Sequence, residues 1–441
     1  MTTRTSTAKQ ETYAAGQCAR DLLAQVGFAN LSAQARSDHP ALAWRRAGLM
    51  DVTGFAEGEG LVSPVALTSA ADGALAAFSA LAPEAPLPLN GALLLGERAR
   101  MRGLYRAGAV SPNGTCRLIA TADAHIGLSL ARESDWDLVP AWLCCDASRW
   151  PEIEAVVATR RAQDLLDRAH ELGLPVAKSE SAPAASPFEI TRLGRTCSAP
   201  ARAPLVVDLS SLWAGPLAGV LLAQAGARVV KVESTRRPDG ARAGHGDFYA
   251  LLNGGKESVG LDFHDPAGVA DLHRLIAAAD IVIESARPRA MEQLGVEAEA
   301  QAAAGKVWVS ITGYGRGGEA AARTGFGDDA SVAGGVASAM LRHWDAPIFA
   351  GDAIADPLAG LFAAVAAWAG WRAGGGWLVS VPLAQAARYA CSVCETDDVR
   401  GWQASALKDT APLYPLRRPS GAVRPLGADT AAVLSSLTAR A

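Results

Sequence analysis

The residues with the clearest chemical potential lie in Pro347–Arg372, PIFAGDAIADPLAGLFAAVAAWAGWR. Turn-forming glycines and two aspartates, Asp352 and Asp356, lead into a long Ala-rich run. Its length and composition predict a buried helix over Leu358–Trp371, uncharged until Arg372. Asp356 followed by Pro357 reads as an N-cap and a first helical residue. A carboxylate there faces the positive end of the helix dipole and unpaired backbone N–H groups. Ala355, Ala359 and Gly360 add little bulk, so a ligand could come close. The plain reading of an isolated Asp-Pro is a helix cap. The chemical reading is a carboxylate nucleophile, ionised at neutral pH and reachable by a thioester carbonyl. Spacing alone leaves both open.

The surrounding chain must position that carboxylate. At 441 residues it is long enough for two or more domains. Half of it is hydrophobic, yet no apolar run reaches membrane-spanning length. The start, MTTRTSTAKQETY, is polar and predicts a mobile segment without a signal peptide, hence a cytoplasmic protein. A net charge of -4 favours neither nucleic acid nor an anionic membrane as partner. Seven cysteines include Cys391-x-x-Cys394 and the adjacent Cys144 and Cys145. Without a second pair or well-spaced histidines they read as reduced packing residues, and no metal site is expected.

Over residues 1–178 the pattern predicts helices near Tyr13–Val26 and Val65–Leu81, a short apolar piece at Ala92–Leu95 and a turn at Ser111–Gly114. Strands follow at Arg117–Thr121 and Ile126–Leu130, then helices near Asp135–Leu143 and Trp150–Leu172. Residues 179–203, rich in Ser, Ala and Pro, read as an interdomain linker. From 204 the character changes. Strands at Leu205–Leu209, Arg228–Glu233, Asp280–Glu284 and Val307–Thr312 alternate with helices at Leu217–Ala225 and Asp265–Ala278. That alternation predicts an α/β fold with a doubly wound parallel sheet, its ligand at the carboxyl ends of the strands. The loops there carry Ser210–Pro216, Ser234–Arg242, Ser285–Arg289 and Gly313–Gly318. Taken singly, Arg236, Arg237, Arg242, Arg287 and Arg289 are ordinary solvated surface. Together at one edge they suit an anionic, phosphate-bearing ligand. The first loop is not GxGxxG, so NAD and FAD are not supported.

Residues 47–81 can be laid on 334–368 without a gap. Gly48 falls on Gly335, Gly73 on Gly360, and Ser69 where Asp356 sits. Ala-rich segments match one another easily, so composition is one account of this. A degenerate copy of the central segment, leaving one active carboxylate per chain, is the other.

The segments VVDLSSLWAGPLAGVLLAQAGARVVKVES, LLNGGKESVGLDFHDPAG, ADIVIESARPRAMEQLG, VSITGYGRGG and IADPLAG resemble, in order, the class III CoA-transferase family. That family includes formyl-CoA transferase, carnitine CoA-transferase and α-methylacyl-CoA racemases. The likeness runs from about Pro204 to Tyr389, and the tail Arg424–Leu437 resembles the family's C-terminal end. It implies a Rossmann-like sheet, interlocked homodimers, and coenzyme A as substrate and product with no tightly bound cofactor. Asp356 matches the attacking aspartate of the transferases, with Gly360 on the motif's glycine; Asp352 fits less well. In these enzymes the aspartate carries CoA from an acyl-CoA to an acceptor carboxylate. The CoA-binding candidates carried over are Leu212, Trp213, Ala214, Gly215, Arg236, Arg237, Leu261, Arg287, Gly313, Tyr314 and Gly315. Ser234, His264 and Gln293 stand where formyl-CoA transferases often place basic side chains, which Arg236 and Arg287 could replace. The arrangement departs from the family: Tyr105–Pro175 resembles its smaller α+β domain, here placed in front, so two partial modules or a permuted one are both open. Two other activities stay in view. A 2-methylacyl-CoA racemase needs a second base, but its histidine position is Phe326 here, leaving His343 or His245 to arrive by folding. A non-catalytic CoA-binding subunit is the other.

Overall fold

The structure is a computed structural model and describes residues 14–180, 183–194 and 202–437. The start expected to be mobile falls in residues 1–13, outside the described residues. The first half holds α1 (Ala14–Gln25), α2 (Pro40–Arg46), a 3-10 turn at Leu49–Val52, α3 (Leu67–Leu81) and α4 (Ala92–Arg102). A small α+β unit follows: β1 (Cys116–Ala120), β2 (His125–Ser129), α5 (Glu133–Leu143), α6 (Trp150–Val157), α7 (Ala162–Leu172) and β3 (Val176–Lys178). Its three strands form an antiparallel sheet in the order β1-β2-β3. Then come β4 (Glu189–Arg192), β5 (Leu205–Asp208), α8 (Ala214–Gln224), β6 (Arg228–Ser234), α9 (Gly246–Asn253), β7 (Glu257–Leu261), α10 (Pro266–Ala278) and β8 (Ile281–Glu284). The chain goes on through α11 (Pro288–Gln293), α12 (Ala298–Ala303), β9 (Val307–Thr312), α13 (Gly327–Ala333), α14 (Val336–Trp344) and α15 (Ala355–Arg372). It ends with β10 (Trp377–Pro382), α16 (Leu383–Val393), α17 (Val399–Lys408) and α18 (Thr430–Leu437).

The large sheet has the order β4-β10-β9-β8-β5-β6-β7. Taking β5 as first, the six parallel strands run third, second, first, fourth, fifth, sixth, the doubly wound order. Alternate residues of these strands enter different cores. Val206, Ile281, Ile283, Val307 and Val309 pack on one face, and Leu205, Val207, Val230, Val282 and Trp308 on the other. Burial on both faces explains why the strands read as continuous apolar runs.

Three expectations differ. Part of the span read as a linker, Glu189–Arg192, is an antiparallel edge strand on β10. Trp150–Leu172 is two helices, because the chain turns at Ala158–Arg161 and restarts at Ala162. Ala92–Leu95, read as a short apolar piece, opens the eleven-residue helix α4. No helix among the described residues is long and apolar enough to cross a membrane. Cys18 and Cys116 are buried as packing residues should be, whereas Cys144 and Cys145 are exposed.

Candidate functional site

Asp356 does not cap its helix. α15 begins at Ala355, with Ile354 in the N-cap position and no side-chain cap bond, so Asp356 lies inside the first turn. The reason is the backbone just before it. Gly351 has φ 79° and Ala353 φ 43°, a left-handed turn that brings the helix start forward. The Ala353 N–H donates to Asp328 Oδ1 at 2.8 Å, which holds that strained residue in place. Asp356 is therefore free of a capping role. Its carboxylate accepts the backbone N–H of Ala214, at the start of α8 just beyond β5. The nucleophile candidate is thus docked at the carboxyl end of the first strand, beside the switch point of the sheet.

Gly360 also has a different use from the one its size suggests. A Cβ there would lie 2.6 Å from Ala214 O and about as close to Leu217 as contact allows, so the glycine lets α8 cross α15. The residue that makes room for the carboxylate is Gly327, where a Cβ would stand 2.1 Å from Asp356 Oδ2.

Three carboxylates meet here, and their surroundings separate them. Asp352 is fully buried, and both its oxygens take 2.6 Å bonds from Arg98 Nε and Nη2. Asn113 Nδ2 bridges Asp328 Oδ2 at 2.7 Å and Asp352 Oδ1 at 3.1 Å. Asp328 and Asp352 are therefore saturated. Asp356 is partly exposed, and among the described residues its recorded donor is the Ala214 N–H alone. Burial pushes its carboxyl up to about 7; Arg98 draws it down, while the charges of Asp328 and Asp352 push it higher. Burial and the Asp352 charge likewise raise Asp328 to about 6. Asp352, the rival nucleophile, is spent on Arg98; Asp356 is the carboxylate with lone pairs to offer.

The loop before α8 is held by buried charges. Lys256 Nζ contacts Asp208 Oδ2 at 2.8 Å and Lys231 Nζ contacts Asp239 Oδ2 at 3.0 Å, all four side chains essentially without exposure. Lys231 also donates to Ser210 O, and Asp239 Oδ1 accepts the Leu212 N–H at 3.0 Å. These bonds fix Leu212 at φ 69° with its side chain 45% exposed. Trp213 turns inward against Phe248, and Arg98 lies over its ring at 4.5 Å. Gly215 is required by Ser210, whose Oγ would lie 2.1 Å from an added Cβ.

The other candidates divide. Arg236 pairs with Asp262 at 2.9 Å. Arg242 is taken by Glu233 and stacks on Tyr249. Arg237, Arg287 and Arg289 are exposed at the ends of β6 and β8, with no ion pair recorded among the described residues. Leu261 is buried in the core with Val207, Val230 and Val282 and is not a lining residue. Gly313 lets its loop cross Gly325, where a Cβ would meet Gly325 Cα at 2.9 Å. Tyr314 donates to Asp329 Oδ2 at 2.6 Å under the guanidinium of Arg323, and Gly315 has φ 146°. Ser211 N–H donates to Ser285 Oγ, tying the first and fourth strand-end loops together. A hollow of about 780 Å³ opens at the opposite, amino end of the sheet, but its cations are engaged: Arg202 and Arg274 pair with Asp280 and Asp271, and Lys306 Nζ donates to Ala277 O and Ala279 O.

Sequence reasoning missed Arg98, Asn113, Asp328 and Gly327. Two adjacent aspartates in an apolar run, Asp328-Asp329, were a usable signal; nothing near Arg98 in sequence links it to Asp352.

Residues 204–406 match the sequence profile of CoA-transferase family III. Similar curated proteins include succinyl-CoA--D-citramalate CoA-transferase of Chloroflexus aurantiacus, 32% identical over 192 residues, 40% of this chain and 48% of that one. Succinyl-CoA:glutarate CoA-transferase of Homo sapiens is 30% identical over 174 residues, 37% of this chain and 40% of that one. (R)-2-hydroxy-4-methylpentanoate CoA-transferase of Clostridioides difficile is 31% identical over 202 residues, 42% and 50%. The chain spans about half the length of these relatives. A crystal structure of a hypothetical protein from Mycobacterium tuberculosis is 28% identical, with a TM-score of 0.39 over 43% of this chain and 57% of that one. The family III segment contains Asp356, Asp352, Asp328 and the strand-end loops; Arg98 and Asn113 come from outside it.

Proposed function

We propose that the protein is an acyl-CoA:carboxylate CoA-transferase with Asp356 as nucleophile. The observation that carries this is the contrast within the carboxylate trio: Asp328 and Asp352 are saturated with donors, and Asp356 is left open beside Gly327 and the Ala214 N–H. Asp356 attacks the thioester carbonyl, and the C–S bond breaks to release the CoA thiolate and a mixed anhydride. The thiolate attacks the aspartyl carbonyl, releasing the first carboxylate and leaving CoA on Asp356 as a thioester. The acceptor carboxylate displaces CoA to form a second anhydride. CoA then attacks the acceptor's carbonyl, giving the new acyl-CoA and restoring Asp356. The Ala214 N–H at the helix start is placed to support developing negative charge. Arg237 and Arg287, exposed at the ends of the two strands that flank β5, are the cations for CoA phosphates, with Leu212 and Gly313–Gly315 on neighbouring strand-end loops. The reading extends to a cytoplasmic enzyme, homodimeric as the family resemblance implies, with dicarboxylates such as succinate as assay substrates because similar proteins are named for them.

A racemase has less support. Phe326 caps α13 and lies under Arg132, His343 is paired with Glu395 at 3.0 Å, and His245 is exposed at the start of α9. With succinyl-CoA and a panel of carboxylates, the wild type transfers CoA and Asp356→Ala does not. Full transfer by Asp356→Ala, or exchange of the α-proton of a 2-methylacyl-CoA with deuterated water without transfer, contradicts the proposal.

A further inference from the structure

The ungapped correspondence that places Gly48 on Gly335 extends through whole elements. Under it α2 falls on α13 residue for residue, and α3 falls on α15. Gly48 and Gly335 both open helical turns in the left-handed conformation, at φ 79° and 95°. A second match joins the crossing helices. α1 ends Leu22-Leu23-Ala24-Gln25-Val26-Gly27, and α8 ends Leu221-Leu222-Ala223-Gln224-Ala225-Gly226, with both glycines at positive φ.

The two matches meet in space. A Cβ on Gly73 would collide with Ala15 O at 2.7 Å and with Cys18; a Cβ on Gly360 would collide with Ala214 O at 2.6 Å and approach Leu217. Ala15 corresponds to Ala214, Cys18 to Leu217 and Gly73 to Gly360, so α1 crosses α3 in the register with which α8 crosses α15. Alanine-rich composition does not produce a shared register between two separate alignments. At the position of Asp356 the first half has Ser69, buried, with its hydroxyl unpartnered.

The halves also contact each other at corresponding positions. After α3, α4 sends Arg98 to Asp352. After α15, the end of α16 reaches back: Cys394 O accepts the Ala66 N–H, and Glu395 bridges to Val65, the residue corresponding to Asp352. Each half thus reaches the same position of the other, as in a two-fold arrangement within one chain, although the reaching residues, Arg98 on one side and Cys394 and Glu395 on the other, do not correspond.

We propose that the chain is an internal pseudo-dimer whose first half is a catalytically silent repeat, and that this half lends Arg98 to the second half's site as a positioning residue for Asp356. Arg98 acts by anchoring Asp352 and supplying positive charge against the carboxylate trio; among the described residues the groups facing Asp356 are Arg98, Asp328, Asp352 and the Ala214 N–H. The role of Arg98 rests on the transferase reading, but its test does not require turnover. In protein labelled with 13C at aspartate Cγ, the Asp356 signal is assigned as the one lost in Asp356→Asn, and its titration is followed with pH. Arg98→Met raises the midpoint by about one unit or more, and Arg98→Lys restores part of the shift. Ser69→Ala leaves that titration and CoA transfer unchanged. An unmoved Asp356 titration in a folded Arg98→Met or Arg98→Lys protein overturns the proposal, as does loss of transfer in Ser69→Ala. Absence of CoA transfer in the wild type with the expected titration shift would defeat the transferase reading and leave the pseudo-dimer standing.

Discussion

A carboxylate in this trio can attack only if it is ionised and unengaged, and the two demands conflict. Burial and two neighbouring charges raise Asp356 to about 7, so it is only partly ionised near neutrality, but a less hydrated carboxylate is also the better nucleophile. Its kcat/KM therefore rises with pH through about 7 and falls about tenfold per unit below it. Stability runs the other way. Folded Asp356 holds its proton more tightly than in the unfolded chain, where it titrates near 3.8, so its contribution is present at low pH and is lost as pH rises through about 7. Asp356→Asn accordingly raises Tm at pH 8, and the gain shrinks toward pH 5; an equal gain at both values contradicts the assignment. Asp356 was legible from its Pro and Gly neighbours. Its freedom from capping was not, because that depends on the left-handed turn at Ala353, a conformation no residue type there announces.

At the scale of elements, the site is a crossing of two helices. α8 must approach α15 closely enough for Ala214 to reach Asp356, and Gly360 permits it. Gly360→Ala would gain about 1 kcal/mol of helix propensity but drives a methyl into a backbone oxygen, for a net cost of about 1–3 kcal/mol. Gly73→Ala makes the same collision in the first half at a similar cost. Only Gly360→Ala separates the Ala214 N–H from the carboxylate, so it loses activity beyond its Tm change, while folded Gly73→Ala keeps it. Activity and Tm measured together distinguish the two. The strands β5, β6, β8 and β9 were legible because burial on both faces writes them as unbroken apolar runs. β4 was not: its residues Glu189–Arg192 are mostly exposed and alternate weakly, and only the partner β10 makes them a strand.

Over the whole molecule, the two halves divide structure from chemistry. The second half carries the doubly wound sheet and the proposed nucleophile, and the first adds the small α+β unit and the contacts of Arg98 and Asn113. The reach of Arg98 across 254 positions was not legible in the sequence, since only tertiary folding relates Arg98 to Asp352. The strand-end cations act at this scale as well. Arg237 and Arg287 lie in solvent, so the double change to alanine raises KM for acyl-CoA with little change in kcat, and wild-type KM rises with ionic strength. A fall in kcat alone would place those cations elsewhere. The central claim is tested most directly by incubating the protein with acyl-CoA and hydroxylamine and mapping the product by peptide mass spectrometry. The account predicts one hydroxamate per chain, on Asp356, appearing only with acyl-CoA and accompanied by loss of activity; modification at Asp352 or Asp328, or inactivation without any modified aspartate, contradicts it.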